Sequence, residues 1–213
     1  MLSNLYKLFI LRFLFIFVIG VNFIPVKVYC NQEIVLFGDS LMSGYGLDED
    51  SHLSTVLEKS LKLKEFDVRV INASVSGDTT SGGLNRLNWL IEGKDIDIVV
   101  LCLGANDMLR GISPILVRQN LNKILETLTE KKITVLFAGM IAQEAFGQKY
   151  KKEFDKIYPE LAKKFNVSFL PFLLDGVALN PELNLKDGKH PNAEGINLIS
   201  KNLEKKLINL LRN

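Results

Sequence analysis

Glu33-Ile34-Val35-Leu36-Phe37-Gly38-Asp39-Ser40 is the stretch from which the fold can be read. Its apolar residues are consecutive rather than alternating, which suits a strand covered on both faces, and Gly38-Asp39-Ser40 ends the run with turn formers. Four further runs share that character, at Val68 to Asn72, Ile96 to Leu103, Ile133 to Ala138 and Val167 to Leu170. Between them apolar residues recur at helical spacing: Leu53, Val56, Leu57 and Leu61, then Leu84, Leu87 and Ile91, then Leu121, Ile124, Leu125 and Leu128. Ser113-Pro114 predicts the start of the third of these helices, with serine as N-cap and proline in the first turn. A helix over Tyr150 to Phe165 is predicted to break or restart at Pro159, which has no amide hydrogen and a fixed φ. Ile196, Ile199, Leu203, Leu207 and Leu210 mark the apolar stripe of a C-terminal helix. This alternation predicts an α/β fold, a parallel sheet between helical layers that binds ligands beyond the carboxyl ends of its strands.

The 213 residues suffice for one domain with a sizeable core. A net charge of +2 gives no electrostatic basis for binding nucleic acid. Residues 1–30 differ in kind. Lys7 and Arg12 precede an apolar run from Phe13 to Pro25, which has the length of a signal-peptide core and falls short of the about 20 residues of a membrane span. Val28-Tyr29-Cys30 then precedes a candidate cut before Asn31. Cys30 replaces the alanine such a cut favours and Lys27 lies close by, so an uncleaved inner-membrane anchor is the alternative to export into the periplasm. Residues 31–213 then form the domain, with 23 basic and 24 acidic side chains. Cys102 is its one cysteine, so no intramolecular disulfide is expected, and its apolar strand predicts a buried, inert thiol. A monomer is expected, with membrane association only through the N-terminal segment.

Candidate functional residues fall just after strands. Ser40 follows the first, Gly77 the second and Asn106 the third, while His190 lies in the loop after the fifth. A serine hydroxyl becomes a useful nucleophile when a base takes its proton, and that base needs an acceptor on its other nitrogen. The chain has two histidines. His52 sits among Glu49, Asp50 and Ser51 at a helix start and reads as an exposed or capping residue. His190 has Asp187 three residues before it, a spacing that lets a carboxylate meet Nδ1 on a tight turn, and Pro191 after it, which is expected to open the next helix. Acyl transfer also needs donors for a developing oxyanion. The candidates are the Ser40 amide at a helix start, where the terminal amides and the helix dipole favour an anion, the Gly77 amide and the Asn106 side-chain amide. Leu109 and Ile112, following Asn106, are candidate residues lining an apolar acyl site.

Gly38-Asp39-Ser40-Leu41, Gly77 within Asn72-Ala73-Ser74-Val75-Ser76-Gly77-Asp78-Thr79, Gly104-Ala105-Asn106-Asp107 and Asp187-Gly188-Lys189-His190-Pro191 resemble, in order, the four blocks of the SGNH hydrolases, also called GDSL esterases. The resemblance spans residues 33–211. Tyr158-Pro159-Glu160-Leu161-Ala162-Lys163 and Leu170-Pro171-Phe172 resemble the exported bacterial subgroup that includes acyl-CoA thioesterases, arylesterases and lysophospholipases. The resemblance implies a three-layer α/β/α fold with a flavodoxin-like five-stranded parallel sheet. It implies Ser40 as nucleophile, His190 as base and then acid, Asp187 as its orienter, and an oxyanion hole from Ser40, Gly77 and Asn106. Asp39 is then a turn-supporting residue, and neither a metal nor another cofactor is required. Small acyl esters, thioesters and lysophospholipids are the implied substrates.

Two departures from the subgroup stand out. Ala105 replaces a glycine, and an extra methyl beside Asn106 is expected to be tolerated. Met140 to Gly147 lacks the proline and asparagine common in this loop, so acyl chain-length preference does not carry over. A carbohydrate or peptidoglycan O-deacetylase would share the machinery and differ in its pocket. A non-catalytic envelope-binding protein would keep the fold alone, against which stands the presence of every catalytic position.

Overall fold

Five strands, β1 (Gln32–Gly38), β2 (Val68–Asn72), β3 (Ile98–Cys102), β4 (Thr134–Ala138) and β5 (Ser168–Leu170), form one sheet in the order β2-β1-β3-β4-β5. Every neighbouring pair is parallel. The computed structural model describes residues 31–212, so the segment 1–30, expected to be a signal peptide or anchor, lies outside the described residues. Eight helices accompany the sheet among the described residues: α1 (Ser40–Ser43), α2 (Leu53–Lys62), α3 (Thr80–Ile91), α4 (Ala105–Leu109), α5 (Pro114–Glu130), α6 (Gln148–Asp155), α7 (Ile157–Phe165) and α8 (Ala193–Leu211). None of them is long and apolar enough to cross a membrane.

Strand order dictates the layers. The chain moves one way along the sheet from β1 to β2 and the other way from β2 through β5. Right-handed crossovers therefore put α2 on one face and α3, α5 and α7 on the other. The packing agrees, with α2 against α8, α3 against α5, and α5 against α7. Covered on both faces, Ile34 to Phe37 and Ile98 to Leu103 are buried throughout, which explains their unbroken apolar character. The order is flavodoxin-like, and its direction switches beside β1. There Leu36 pairs with Asn72 and Gly38 with Cys102, so three strand ends lie side by side. The loops bearing Ser40, Gly77 and Asn106 leave the sheet from these ends.

The predicted elements form, with shifted edges. Ile133 and Val167 stay out of β4 and β5 because their amides bond back to Leu128 and Ala162, closing the preceding helices as Schellman turns. Leu103 leaves β3, and its carbonyl accepts the buried Tyr158 hydroxyl at 3.0 Å. The helix around Tyr150 does restart, three residues before Pro159, at Lys156. Pro159 cannot bond the carbonyl four residues back, that of Asp155, and there α6 ends. Ser113 caps α5 as predicted, accepting from the Ile115 amide at 3.3 Å. In α3 the buried face runs through Thr80, Gly83, Leu87 and Leu90, so Leu87 of the predicted stripe is buried while Leu84 and Ile91 pack partly buried against the core. Gly83 brings the helix close to Leu103, whose Cδ1 would lie 2.3 Å from an added Cβ. The stripe of α8 ends on buried Leu211, with Leu210 only partly covered.

Candidate active site

Ser40 is placed by the turn that ends β1. Asp39 has extended backbone angles and caps α1: its carboxylate accepts from the Leu41 amide at 3.0 Å and its carbonyl from Met42 and Ser43 at 3.1 Å. Ser40 is thus the first helical residue and half-buried, with its main-chain N–H left without a protein acceptor among the described residues. Four residues make too short a helix for a macrodipole of consequence, contrary to the expectation from sequence. The free amide is what remains of that expectation.

His190 comes from the opposite side, on a turn pinned at its base. Leu185 donates to the His190 carbonyl at 2.7 Å, and buried Asn184 pairs with Pro191 and donates to the carbonyls of Val177 and Asn180, both at 2.7 Å. Asp187 Oδ1 accepts the amides of Lys189 at 2.9 Å and His190 at 3.0 Å, while its Oδ2 accepts Nδ1–H of the ring at 2.6 Å. The His190 side chain, then the amides of His190 and Lys189, hold this carboxyl well below the usual carboxylate range. A carboxylate only accepts, so Nδ1 must carry the proton, and in the neutral ring Nε2 accepts from Ser40 Oγ at 2.9 Å. Two residues 150 positions apart are thereby joined. Pro191 does not open α8. Asn192 caps that helix, accepting from Gly195 at 3.0 Å, and Pro191 precedes the cap in its bridge to Asn184.

Gly77, with φ of 82°, carries a second main-chain N–H without a protein acceptor among the described residues. Asn106 lies between the two glycine- and serine-bearing loops, its Nδ2 donating to the Asp78 carbonyl at 2.9 Å and to Asp39 Oδ2 at 3.3 Å. The second of these bonds is the longer and, at that distance, the weaker. Asp39 is buried, and that burial, against the opposing Leu41 amide and with help from Asp78, raises its pKa from 3.8 to about 6. It holds the turn and Asn106, and Asp187 alone meets the imidazole. At Ala105 the extra methyl is buried at the first position of α4 and the backbone is unstrained. Gly104 before it has φ of 120°, and a Cβ there would lie 2.2 Å from the Tyr158 hydroxyl, so only the first glycine of that block is obligatory.

The remaining candidates separate cleanly. Leu109 is exposed at the end of α4, whereas Ile112 packs partly buried against the core and its carbonyl accepts from Tyr150. His52 is partly buried at the start of α2, its Nε2 3.2 Å from the Leu47 carbonyl and away from Ser40's relay. Cys102 is fully buried, and burial raises its thiol pKa well above the ordinary value.

Three supports were not anticipated from the sequence. Arg86 donates to Asp78 at 2.7 Å, the Ala73 carbonyl at 2.6 Å and the Gly38 carbonyl at 3.2 Å, with its guanidinium over the Phe37 ring. Asp107, wholly buried, accepts the Thr80 amide at 2.8 Å and hydroxyl at 2.6 Å, and Asn120 donates to Thr80 and Ser81. The Tyr45 ring lies against that of His190, tilted by 35°. The one signal for Arg86 was a cation on a helix that otherwise packs on the sheet.

The profile of the GDSL-like lipase/acylhydrolase family matches residues 36–197. An arylesterase of Vibrio mimicus is 36% identical over 164 residues, covering 77% of this chain and 82% of that protein. Thioesterase 1/protease 1/lysophospholipase L1 of Escherichia coli K12 is 34% identical over 176 residues, 83% of each chain. The crystal structure of AlinE4, an SGNH-hydrolase family esterase, is similar with a TM-score of 0.72 and 41% identity, covering 84% of this chain and 96% of that one. With its flavodoxin-like sheet and its Ser40, His190 and Asp187 in contact, the chain belongs to the GDSL-like lipase/acylhydrolase family, the SGNH hydrolases.

Proposed function

We propose that the protein hydrolyses carboxylic esters and thioesters through an acyl-Ser40 intermediate, with aryl esters, acyl-CoA and lysophospholipids as substrate classes. The observation that carries this reading is the continuous relay from Ser40 Oγ through His190 to Asp187, at 2.9 and 2.6 Å. Oγ bonds the carbonyl carbon as its proton passes to Nε2. The charge that develops on the carbonyl oxygen meets the free amides of Ser40 and Gly77 and the Asn106 side chain. The oxyanion then collapses, the C–O or C–S bond breaks, and Nε2 returns the proton to the leaving group. Water repeats the sequence on the acyl-enzyme: it bonds the carbonyl carbon, gives its proton to Nε2, and Ser40 leaves with that proton. Asp187 stays ionised and keeps the proton-bearing nitrogen turned away from Ser40.

A fluorophosphonate probe provides the test. Labelling of the wild type and none of a folded Ser40→Ala variant is expected; a folded wild type that resists labelling overturns the reading. A panel of p-nitrophenyl esters, acyl-CoA, lysophosphatidylcholine and acetylated sugars then assigns the substrate class, and turnover of acetylated sugars alone would replace lipid hydrolysis with O-deacetylation. The basic-then-apolar residues 1–30 support export, with the domain acting in the periplasm as a monomer, free or tethered to the inner membrane. Fractionation and N-terminal sequencing of the mature protein distinguish release at Asn31 from retention.

A further inference from the structure

Tyr45 lies five residues beyond Ser40, on the turn that follows α1, and its ring centroid is 4.3 Å from that of His190 with the planes inclined by 35°. The hydrogen bonds of the imidazole, Nδ1 to Asp187 and Nε2 to Ser40, are both at its edge. Edge bonds fix where the nitrogens point, while a contact on the face limits tilting about the line joining them. Asp187 is itself 38% exposed at its side chain, against 19% for His190, so the orienting carboxylate sits in water and the ring is covered mainly from elsewhere.

The turn bearing Tyr45 is shaped for this contact. Gly44 and Gly46 flank the tyrosine with φ of 88° and 71°, and the Leu47 amide closes the turn on the Gly44 carbonyl at 3.1 Å. A Cβ on Gly44 would lie 2.2 Å from the His52 ring, and one on Gly46 would lie 2.9 Å from Leu185. His52 also holds the Leu47 carbonyl, and Leu185 is the residue whose amide bonds the His190 carbonyl. The turn therefore rests on His52 on one side and on the base of the His190 turn on the other. Both neighbours of Tyr45 are residues whose missing side chains permit that seating.

We propose that Tyr45 is a positioning residue for the reaction, holding the His190 ring in plane with Ser40 and stabilising, through its π-face, the imidazolium that forms when Oγ gives up its proton. This rests on His190 acting as the proton acceptor for Ser40. The tyrosine works through its ring and not its hydroxyl. Its contribution is made after substrate is bound, because positive charge appears on His190 only as the carbonyl is attacked.

Tyr45→Phe, Tyr45→Leu and Tyr45→Ala in the full-length chain, assayed on p-nitrophenyl butyrate, test it. Tyr45→Ala is expected to lower kcat about fivefold with KM nearly unchanged. Tyr45→Phe is expected to restore wild-type kcat, and Tyr45→Leu, which covers the ring without a π-face, is not. In proton NMR the low-field Nδ1–H signal of His190 is expected to stay sharp in the wild type and Tyr45→Phe and to broaden in Tyr45→Ala. The proposal is overturned by a Tyr45→Phe as slow as Tyr45→Ala, by a loss confined to KM, or by full activity in Tyr45→Ala. An inactive wild type would instead sink the hydrolase reading, so the two failures are distinct.

Discussion

Asp187 reaches His190 across three residues of a solvent-exposed turn, whereas Asp107 reaches Thr80 across 27 residues of chain and is wholly buried. The two sides of one active site are thus assembled by opposite means. On the base side, the Asp187 carboxylate stays hydrated and a short turn is enough to bring carboxylate and imidazole together. On the oxyanion side, Asp39, Asp107, Thr80 and Asn120 are buried, and each must find a partner inside the protein. They do, since among the described residues no buried side-chain nitrogen or oxygen lacks one. The base side therefore depends on local geometry, and the oxyanion side on ties between distant loops.

Asp187→Asn separates catalysis from stability on the base side. An asparagine keeps an oxygen for the Lys189 and His190 amides but turns an NH2 group toward Nδ1, which favours the tautomer with its proton on Nε2. Ser40 then loses its acceptor. A fall in kcat of about 10²–10³-fold is expected, tempered relative to a buried triad because water can reach this site. Chemical denaturation should show a change of about 1 kcal/mol or less, as for other exposed charges. A large loss of stability with kcat retained would invert the comparison.

Arg86→Met asks the same of the other side and predicts the reverse balance. Arg86 and Asp78 are 21% and 10% exposed at their side chains, and removing the cation strands a largely buried carboxylate. Stability should fall by about 3 kcal/mol. The variant also frees Ala73 and Asp78, which bracket Gly77, and kcat on p-nitrophenyl butyrate should fall about tenfold as the oxyanion donors lose their fixed aim. Unchanged denaturation midpoints would mean that Arg86 does not tie these loops.

The same contrast decides what could be read from the sequence. The relay was legible because its acid and base are three residues apart and because Ser40, Gly77 and Asn106 follow strands whose apolar runs are unmistakable. Element edges were less so: Glu65, Lys132 and Asn166 occupy left-handed turns that glycine would have signalled, so the strand starts at Thr134 and Ser168 were invisible. Arg86, Asp107 and Asn120 were missed for a stronger reason. Their partners lie on other loops, and a helix-borne arginine or asparagine reads as a solvated residue until the fold brings Gly38, Ala73 and Thr80 beside it. Tyr45 had a local signal, a tyrosine between two glycines, yet nothing in that spacing names His190 as the ring it would meet.

Asp39 and Asp187 should respond to pH in opposite senses. Burial raises the Asp39 carboxyl from 3.8 in an open chain to about 6 in the fold. A group raised in this way contributes fully to stability below about pH 3.8 and loses the contribution as pH climbs through about 6, a difference of about 3 kcal/mol. The Asp187 carboxyl is lowered instead, so its contribution is present above about pH 3.8 and disappears only as pH falls toward its folded-state value. Asp39→Asn is neutral at every pH and keeps an oxygen for the Leu41 amide, although its NH2 group faces Asn106 at a cost that does not vary with pH. The difference in unfolding free energy, variant minus wild type, should therefore rise by up to about 3 kcal/mol between pH 4 and pH 8. For Asp187→Asn it should be flat above about pH 5. Urea denaturation of both variants across that range provides the measurement. A flat Asp39→Asn profile would mean that its carboxyl is ionised throughout and that water reaches the oxyanion side as freely as it reaches the base.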